Sequence, residues 1–197
     1  YGEGSSNNKF LEIFNGTGEI VDLSKYQIRI FFNGATNAGR TVTLQGQLDN
    51  FDVFVIAHPS AAQEILDVAH MTHIIEFNGD DAVGLYKNGV LIDVIGEIGV
   101  RENFGMDVTL VRKEHVDGPS DVYDPNDWIR HPNNTFTYLG SHWNFEPENY
   151  ALLQQDIDQI PEIINLYRTY NLGVGRNGST YKILSITGDA TSVIDYQ

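Results

Sequence analysis

The chain has 197 residues, of which 41% are hydrophobic, and a formal net charge of -15. This length suffices for one domain with its own core and an appendage of about 50 residues. The negative charge repels phosphate groups, so we expect no binding to nucleic acid, anionic lipid or acidic partners. The sequence has no cysteine, which excludes disulfides, thiolate metal sites and cysteine nucleophiles.

The sequence also bears on membranes and export. No apolar run reaches the roughly 18 residues that a transmembrane helix needs, so we expect no membrane span. No leader of basic and then apolar residues is visible at Tyr1. Either the protein is cytoplasmic, or a leader has been removed from it. We favour the second interpretation, an exported protein that is extracellular or at the cell surface.

Residues 1–143 consist of short alternating segments separated by turn residues, which is typical of a two-sheet β-sandwich. Alternating side chains predict strands at residues 10–14, 26–32 and 42–44. The mostly apolar residues 51–57 predict a strand with both faces covered, or with one covered and one aromatic-rich face. Residues 107–112 predict another strand. The fold class predicted for this part of the chain is therefore mainly β.

Two further elements have local signals. Asn88-Gly89 separates two apolar segments and predicts a tight hairpin, because this dipeptide tolerates positive φ angles. Ser60 and Gln63 have the spacing of a capping box, and the apolar residues at 65–69 then predict one short helix of two or three turns. Residues 119–134 are turn-rich and carry Trp128, which we expect to cover the core.

The pattern changes after residue 143, and residues 144–197 predict a C-terminal α/β extension. One helical face is formed by Leu153, Ile157, Ile160, Ile164 and Tyr167. Pro161 is expected to kink or divide that helix. The glycines at 173–178 are expected to break the chain, and residues 181–187 with 193–194 predict a final strand.

Several segments of the first 143 residues match a known domain in the same order. They are Glu3–Lys9 (EGSSNNK), Leu11–Asn15 (LEIFN), Asp22–Tyr26 (DLSKY), Val55–Ala61 (VIAHPSA), Phe77–Val83 (FNGDDAV), Leu91–Gly96 (LIDVIG) and Phe136–His142 (FTYLGSH). Together they resemble the lamin-tail domain of exported bacterial proteins, over about residues 2–143.

The resemblance implies an immunoglobulin-like β-sandwich that binds or positions partners without catalysis. Domains of this type are attached to exported nucleases and other surface enzymes in bacteria, and to nuclear filaments in eukaryotes. A fold alone does not define a function. Related domains carry more residues of the first strand, so we expect the chain to begin inside that strand and to leave a sheet edge unpaired.

The loop Ser5, Ser6, Asn7, Asn8 and Lys9 is the first candidate binding site, because loops on a rigid sandwich often recognise ligands. The alternative is structural: the serine and asparagine side chains satisfy backbone groups of a tight turn. In that alternative Lys9 pairs with Glu12 across strands.

Two groups of carboxylates are candidate calcium ligands, and calcium is the one cofactor considered. Asp80 and Asp81 follow an Asn-Gly turn, and Asp121, Asp124 and Asp127 recur at intervals of three. Neither group has the spacing of a dedicated calcium loop. Ordinary turn chemistry explains the first group, and capping of a helical turn explains the second.

The histidines do not predict a metal site. His70 and His73 are three residues apart after the proposed helix, but no third ligand accompanies them, and histidine at a helix end more often caps carbonyls. His131 and His142 lie near Trp128 and Trp143, where the resemblance implies packing rather than catalysis.

No nucleophile, metalloprotease or phosphate-loop motif occurs, so the sequence favours an interaction or assembly module over an enzyme. We expect its partner to be a protein, and we consider self-association in a surface filament or adhesive layer. Strand addition through Tyr181, Ile183, Leu184 and Ile186 is the mechanism considered. The alternative is an accessory binding domain of an exported nuclease or another surface enzyme.

Overall fold

The structure is a computed structural model that describes residues 1–113, 116 and 118–142, together with the backbone of the strands at 173–177, 180–185 and 195–196. The chain divides into two compact units, residues 1–142 and residues 143–197. Each unit is described separately.

Twelve strands occur in the described part of the first unit. They are β1 (Gly2–Glu3), β2 (Lys9–Phe14), β3 (Val21–Asp22), β4 (Tyr26–Phe31), β5 (Arg40–Thr43), β6 (Gln47–Leu48), β7 (Val53–Ala57), β8 (Met71–Thr72), β9 (Ala82–Lys87), β10 (Val90–Ile95), β11 (Val108–Arg112) and β12 (Trp128–Pro132). The helical elements are α1 (Gln63–Leu66) and three 3₁₀ turns at Leu23–Lys25, Phe32–Gly34 and Pro125–Asp127.

These strands form two main sheets. Sheet A has the order β12-β11-β1-β2-β7-β8, and sheet B has the order β10-β9-β4-β5. The short strands β3 and β6 pair separately. Within this unit the described pairings are antiparallel, except for the parallel pair β7–β8.

The main core lies between the inner faces of the two sheets. Sheet A contributes Leu11 and Ile56, and sheet B contributes Ile28, Ile30 and Val83 to the same cluster of buried residues. Alternating side chains of both sheets thus fill one apolar layer, as in a sandwich. The predicted mainly β, two-sheet sandwich with one short helix is confirmed, whereas immunoglobulin-like connectivity stays a prediction.

The predicted hairpin is confirmed. Strand β9 ends at Lys87 and β10 begins at Val90, and the two turn residues have φ angles of 52° at Asn88 and 83° at Gly89. These positive values are those of the tight turn that matches the twist of an antiparallel pair.

The prediction for the helix is correct in position but wrong in length and capping. Helix α1 has only four residues, and Ala62 at its N-cap makes no side-chain capping bond. The Ala62 N–H instead donates to Asn8 Oδ1 at 2.8 Å. The capping box does not form, because Ser60 N donates to His58 Nδ1 at 3.1 Å and Gln63 Nε2 donates to Asp67 Oδ1 at 2.7 Å.

The outer face of sheet A carries a second, smaller core. Phe10, Ala57 and Ile65 are buried there, and Phe136 and Leu139 pack against them. Phe10 and Phe136 meet edge to face, with ring centroids 5.9 Å apart. The segment after β12 and helix α1 together cover this face.

The prediction of an unpaired edge at the first strand is wrong. Strand β1 lies inside sheet A, where Gly2 pairs with Thr109 of β11 on one side and with Phe10 of β2 on the other. The sheet edges are β12 and β8 instead. Trp128 packs against the core as expected, but from the edge strand β12.

The described part of the second unit is an antiparallel sheet of order β13-β14-β15, with β13 (Gly173–Asn177), β14 (Thr180–Ser185) and β15 (Asp195–Tyr196). The glycine-rich segment that was expected to break the chain is strand β13, because it pairs with β14 and glycine permits an extended backbone. The predicted helix at 153–167 and the strand residues 186, 187, 193 and 194 lie outside the described residues.

Candidate interaction site

The loop Ser5–Lys9, the first candidate site, is hydrogen-bonded to two neighbouring segments of the sandwich. Asn134 Oδ1 accepts bonds from Ser5 N at 3.1 Å and from Asn8 Nδ2 at 3.0 Å, and Asn134 Nδ2 donates to Ser5 Oγ at 2.9 Å. Asn8 also accepts the bond from Ala62. The structural alternative therefore accounts for Ser5 and Asn8, whereas Ser6 and Asn7 remain exposed.

Lys9 and Glu3 form a buried ion pair between β2 and β1, where the two residues are directly opposite each other. The other oxygen of Glu3 accepts from Asp107 N. The predicted pair of Lys9 with Glu12 is wrong, because residues three apart on a strand lie on opposite faces. Glu12 instead accepts from Gly140 N at 2.6 Å.

Glu12 is the partly buried carboxylate on the outer side of sheet A. Burial raises its pKa, and this effect outweighs the bond from Gly140 N and the attraction of the Tyr1 amino group, both of which lower it. The Tyr1 amino group donates to Leu110 O at 3.1 Å, and burial lowers its pKa to about 6.

Asp80 and Asp81 already have protein partners. Asp81 is buried, and its two oxygens accept from Asn33 N at 2.6 Å and from Asn78 N at 2.7 Å. Asp80 forms an ion pair with Arg101 at 2.9 Å. The carboxylate oxygens that a cation would need already accept hydrogen bonds from these N–H groups. Asp80 and Asp81 therefore do not fit a shared calcium ion.

The second group of carboxylates is Asp121, Asp124 and Asp127, and one of them caps a helical turn, as the structural alternative predicted. Asp124 caps the 3₁₀ turn by accepting from Asn126 N at 2.8 Å. Asp121 is exposed, and Asp127 is half-buried. In the described ranges no three histidine or carboxylate side chains are grouped to hold a metal ion. Calcium binding stays a prediction.

The described histidines mostly serve the backbone or pack against aromatic rings. His70 Nδ1 accepts from Val55 N at 3.1 Å, and His58 Nδ1 accepts from Ser60 N at 3.1 Å. His142 stacks on Phe14 with ring centroids 3.8 Å apart, and burial lowers its pKa. His131 lies 4.5 Å from Tyr138, measured between ring centroids, in agreement with a packing role.

Three of the four sheet edges in the sandwich are protected against further strands. Strand β8 has two residues only. Strand β10 contains a bulge between Leu91 and Asp93, and its Val94 N–H donates to Ser120 O. Strand β12 ends at Pro132, which has no N–H. Short strands, bulges and prolines are common means of blocking an edge.

Strand β5 differs from these three. Leu44 N donates to Tyr26 O at 3.0 Å, and Ile28 pairs with Val42, so the even-numbered residues of β5 bond toward β4. Because the direction alternates along an antiparallel strand, the backbone groups of Thr41 and Thr43 face away from the sheet. Both threonines are exposed, and no described residue bonds to these groups.

We call this feature the open edge, defined as the outward backbone N–H and C=O groups of Thr41 and Thr43. Val42, between them, is buried in the core and fixes the strand. The Thr43 hydroxyl accepts from Gln27 Nε2 at 3.4 Å. The open edge is thus a rigid row of donors and acceptors at the spacing that a neighbouring strand requires.

The surroundings of the open edge differ in charge from the rest of the chain. Residues 23–48 contain Lys25, Arg29 and Arg40 but no aspartate or glutamate. Arg40 is paired with Glu76 at 3.0 Å, and Lys25 with Asp22 at 3.7 Å. Strands β4 and β5 therefore form a neutral to positive strip on an acidic protein.

Arg29 lies on the exposed face of this strip. Its guanidinium carbon is 4.1 Å from the centre of the Tyr86 ring, and its Nη2 donates to Gln27 Oε1 at 2.9 Å. These contacts hold Arg29 toward β9 and away from the open edge. No described carboxylate pairs with it.

The assembly residues predicted in the second unit lie in its central strand. Tyr181, Ile183 and Leu184 belong to β14, which pairs with β13 and β15, and Ile186 is outside the described residues. The edges of that sheet are β13 and β15. Sequence reasoning missed the open edge of sheet B, although the acid-free run at 23–48 was visible.

Comparison with known proteins finds no matching family model, and no curated protein or solved structure with significant similarity to the chain. The resemblance to lamin-tail domains therefore stays a prediction from its motifs. No helix in the described residues is long and apolar enough to cross a membrane.

Proposed function

We propose that residues 1–142 form a non-catalytic interaction module of an exported protein, which binds an extended protein segment by strand addition at the open edge. The observation that carries this proposal is the contrast between β5 and the other edges of the sandwich. Strands β8, β10 and β12 are short, bulged or end in proline, whereas the outward backbone groups of Thr41 and Thr43 have no partner among the described residues.

The chemistry of strand addition fits this edge. An incoming strand exchanges backbone bonds with Thr41 and Thr43, which supplies affinity with little dependence on its sequence. Because β4 already holds β5 through Val42 and Leu44, the binding groups do not need to be ordered on association. The cost of binding then falls mainly on the incoming segment.

The resemblance to lamin-tail domains supports the same class of function. Domains of that type position larger assemblies, which agrees with a role in a surface filament or adhesive layer. The carboxylates Glu3, Asp81 and Asp93 hold other parts of the fold through hydrogen bonds or ion pairs. Those groups therefore have structural roles in this proposal.

Proline substitution at the open edge tests the proposal. Thr41→Pro and Thr43→Pro each remove one outward N–H and leave the bonds to β4 intact, and Thr41→Ser is the matched control. Each protein is immobilised and challenged with a random peptide library displayed on phage. The selected peptides are then synthesised, and their binding is measured in solution.

We expect peptides that bind the wild type and Thr41→Ser equally and bind each proline variant about fivefold more weakly, which corresponds to one lost hydrogen bond. Circular dichroism and thermal melting must show that the variants remain folded. The proposal fails if no peptide is selected, or if the selected peptides bind the proline variants as tightly as the wild type.

A further inference from the structure

We infer that the segment bound at the open edge is β5 of a second copy of this chain, paired antiparallel about a twofold axis through Val42. This inference rests on the proposed function and names the partner. The register follows from which backbone groups face outward. With Thr41 of one copy opposite Thr43 of the other, both outward residues of each strand are bonded, and each pair exchanges two hydrogen bonds.

Other registers use the edge less well. Pairing Thr41 with Thr41 of the partner leaves Thr43 opposite Gly39, which lies outside β5. Pairing Thr43 with Thr43 places Thr41 opposite Gln45, which is also outside the strand. Only the register centred on Val42 keeps every bonded residue within Arg40–Thr43 of both copies.

The side chains are compatible with this pairing on both faces of the sheet. On the outer face, threonine lies opposite threonine, a favourable cross-strand pair. On the inner face, the two Val42 side chains are neighbours, and each is already part of its own core. Arg40 lies opposite Leu44 of the second copy, so no like charges face each other across the axis.

The charge distribution favours a second copy at this location. Two chains of net charge -15 repel each other over most of their surfaces. The strip at 23–48 has no carboxylate, and the Arg40 and Lys25 side chains are paired within their own copy. The two Arg29 side chains are about three strand spacings apart, roughly 14 Å, which exceeds a screening length of about 8 Å.

Cysteine cross-linking tests the partner and the register together. The chain has no cysteine of its own, so introduced thiols are the only ones present. Opposed residues of a hydrogen-bonded pair have Cα atoms about 5.5 Å apart, within the range of a disulfide. Thr41 and Thr41 of the second copy are about 8 Å apart in this register, which is outside that range.

The experiment uses Thr41→Cys and Thr43→Cys chains, one of which carries a mass tag, oxidised in a thiol–disulfide buffer. Glu64→Cys on helix α1 is the exposed control. We expect the mixture of Thr41→Cys and Thr43→Cys to yield about tenfold more disulfide dimer than either variant alone or Glu64→Cys. Adding Val90→Lys, at an exposed position of β10, to both chains should leave this yield unchanged.

Each other result overturns the inference. Equal yields in all combinations indicate random collision, and dominant Thr41–Thr41 or Thr43–Thr43 dimers indicate a different register. No cross-linking above the Glu64→Cys level, at the highest soluble concentration, excludes the second copy as partner. In that case selection of peptides that need Thr41 and Thr43 N–H groups would still support the proposed function, with a different protein such as an acidic extended segment as the partner.

Discussion

Asn8 and Asn134 are joined side chain to side chain, Nδ2 to Oδ1 at 3.0 Å, although 126 positions separate them in the sequence. The same Asn134 oxygen accepts from Ser5 N, and Asn8 Oδ1 accepts from Ala62 N. One asparagine pair thus ties together the β1–β2 loop, the turn after β12 and the start of α1. Its loss is expected to loosen this end of the sandwich.

Asn134→Ala tests that role. The substitution removes the acceptor of Ser5 and Asn8 and places alanine at a φ of 55°, which is unfavourable for a residue without a local polar side chain. We expect a loss of about 1–3 kcal/mol in the free energy of unfolding, measured by urea denaturation. Asn7→Ala, in the same loop, should change it by less than about 0.5 kcal/mol. An unchanged midpoint for Asn134→Ala would contradict the role.

Gly79 is expected to tolerate no side chain. A Cβ atom there would lie 1.8 Å from Met106 N, and the Gly79 carbonyl accepts from Phe104 N and Gly105 N. The backbone near Met106 cannot move away from the added Cβ atom without breaking these bonds. Gly79→Ala should therefore lower the free energy of unfolding by more than about 3 kcal/mol or prevent folding. Gly89→Ala is a weaker test, since its added Cβ meets open space and only its φ of 83° is strained. Equal melting temperatures for the two variants would refute this difference.

Arg112 joins the two sheets on the side opposite the open edge. It forms a bidentate pair with Asp93 at 3.0 and 3.2 Å and lies 4.3 Å from the Trp128 ring centre. Arg112→Lys keeps the positive charge but loses the two parallel hydrogen bonds to Asp93 and the stacking of a planar group on Trp128. We expect a loss of about 1–2 kcal/mol and a change in Trp128 fluorescence of the folded state. Arg101→Lys, at an exposed pair, should have almost no effect on stability.

Glu12 should make stability depend on pH. Its pKa is raised in the folded state, mainly by burial, so the folded chain binds a proton more tightly than the unfolded chain. Stability from this group is therefore greatest at low pH and falls as pH rises from the unfolded pKa through the folded one. Glu12→Gln retains an acceptor for Gly140 N and should remove this decrease. Parallel pH profiles of the free energy of unfolding for both proteins would contradict the assignment.

Local patterns predicted the elements that local chemistry determines. The Asn88-Gly89 turn and the alternation in β4 need no distant residue, and the structure contains both. The apolar segment predicted as a strand at 51–57 is also present, although β7 begins only at Val53. The capping box at Ser60 did not form because the helix begins only at Gln63 and the Ser60 N–H is bonded to His58 Nδ1. In the same way, the pair of Lys9 with Glu3 depends on the register of β1 and β2, which strand alternation does not determine.

The candidate site was least accessible to sequence reasoning. Whether a strand is at a sheet edge depends on its neighbours in space. The prediction of an edge at the first strand rested only on the few residues before the loop, and it was wrong. Similarly, the net charge of -15 describes the whole chain and conceals the acid-free run at 23–48. A search for local charge along each predicted strand would have directed attention to β5.

Amide hydrogen exchange at residues 41–44 tests the central claim most directly. In dilute solution we expect the Thr41 and Thr43 amides to exchange at nearly unprotected rates, while the Val42 and Leu44 amides, bonded to β4, exchange about a thousandfold or more slowly. Raising the protein concentration should slow Thr41 and Thr43 alone. Uniform protection across the four residues in dilute solution, or fast exchange at Val42, would show that β5 is not an open edge.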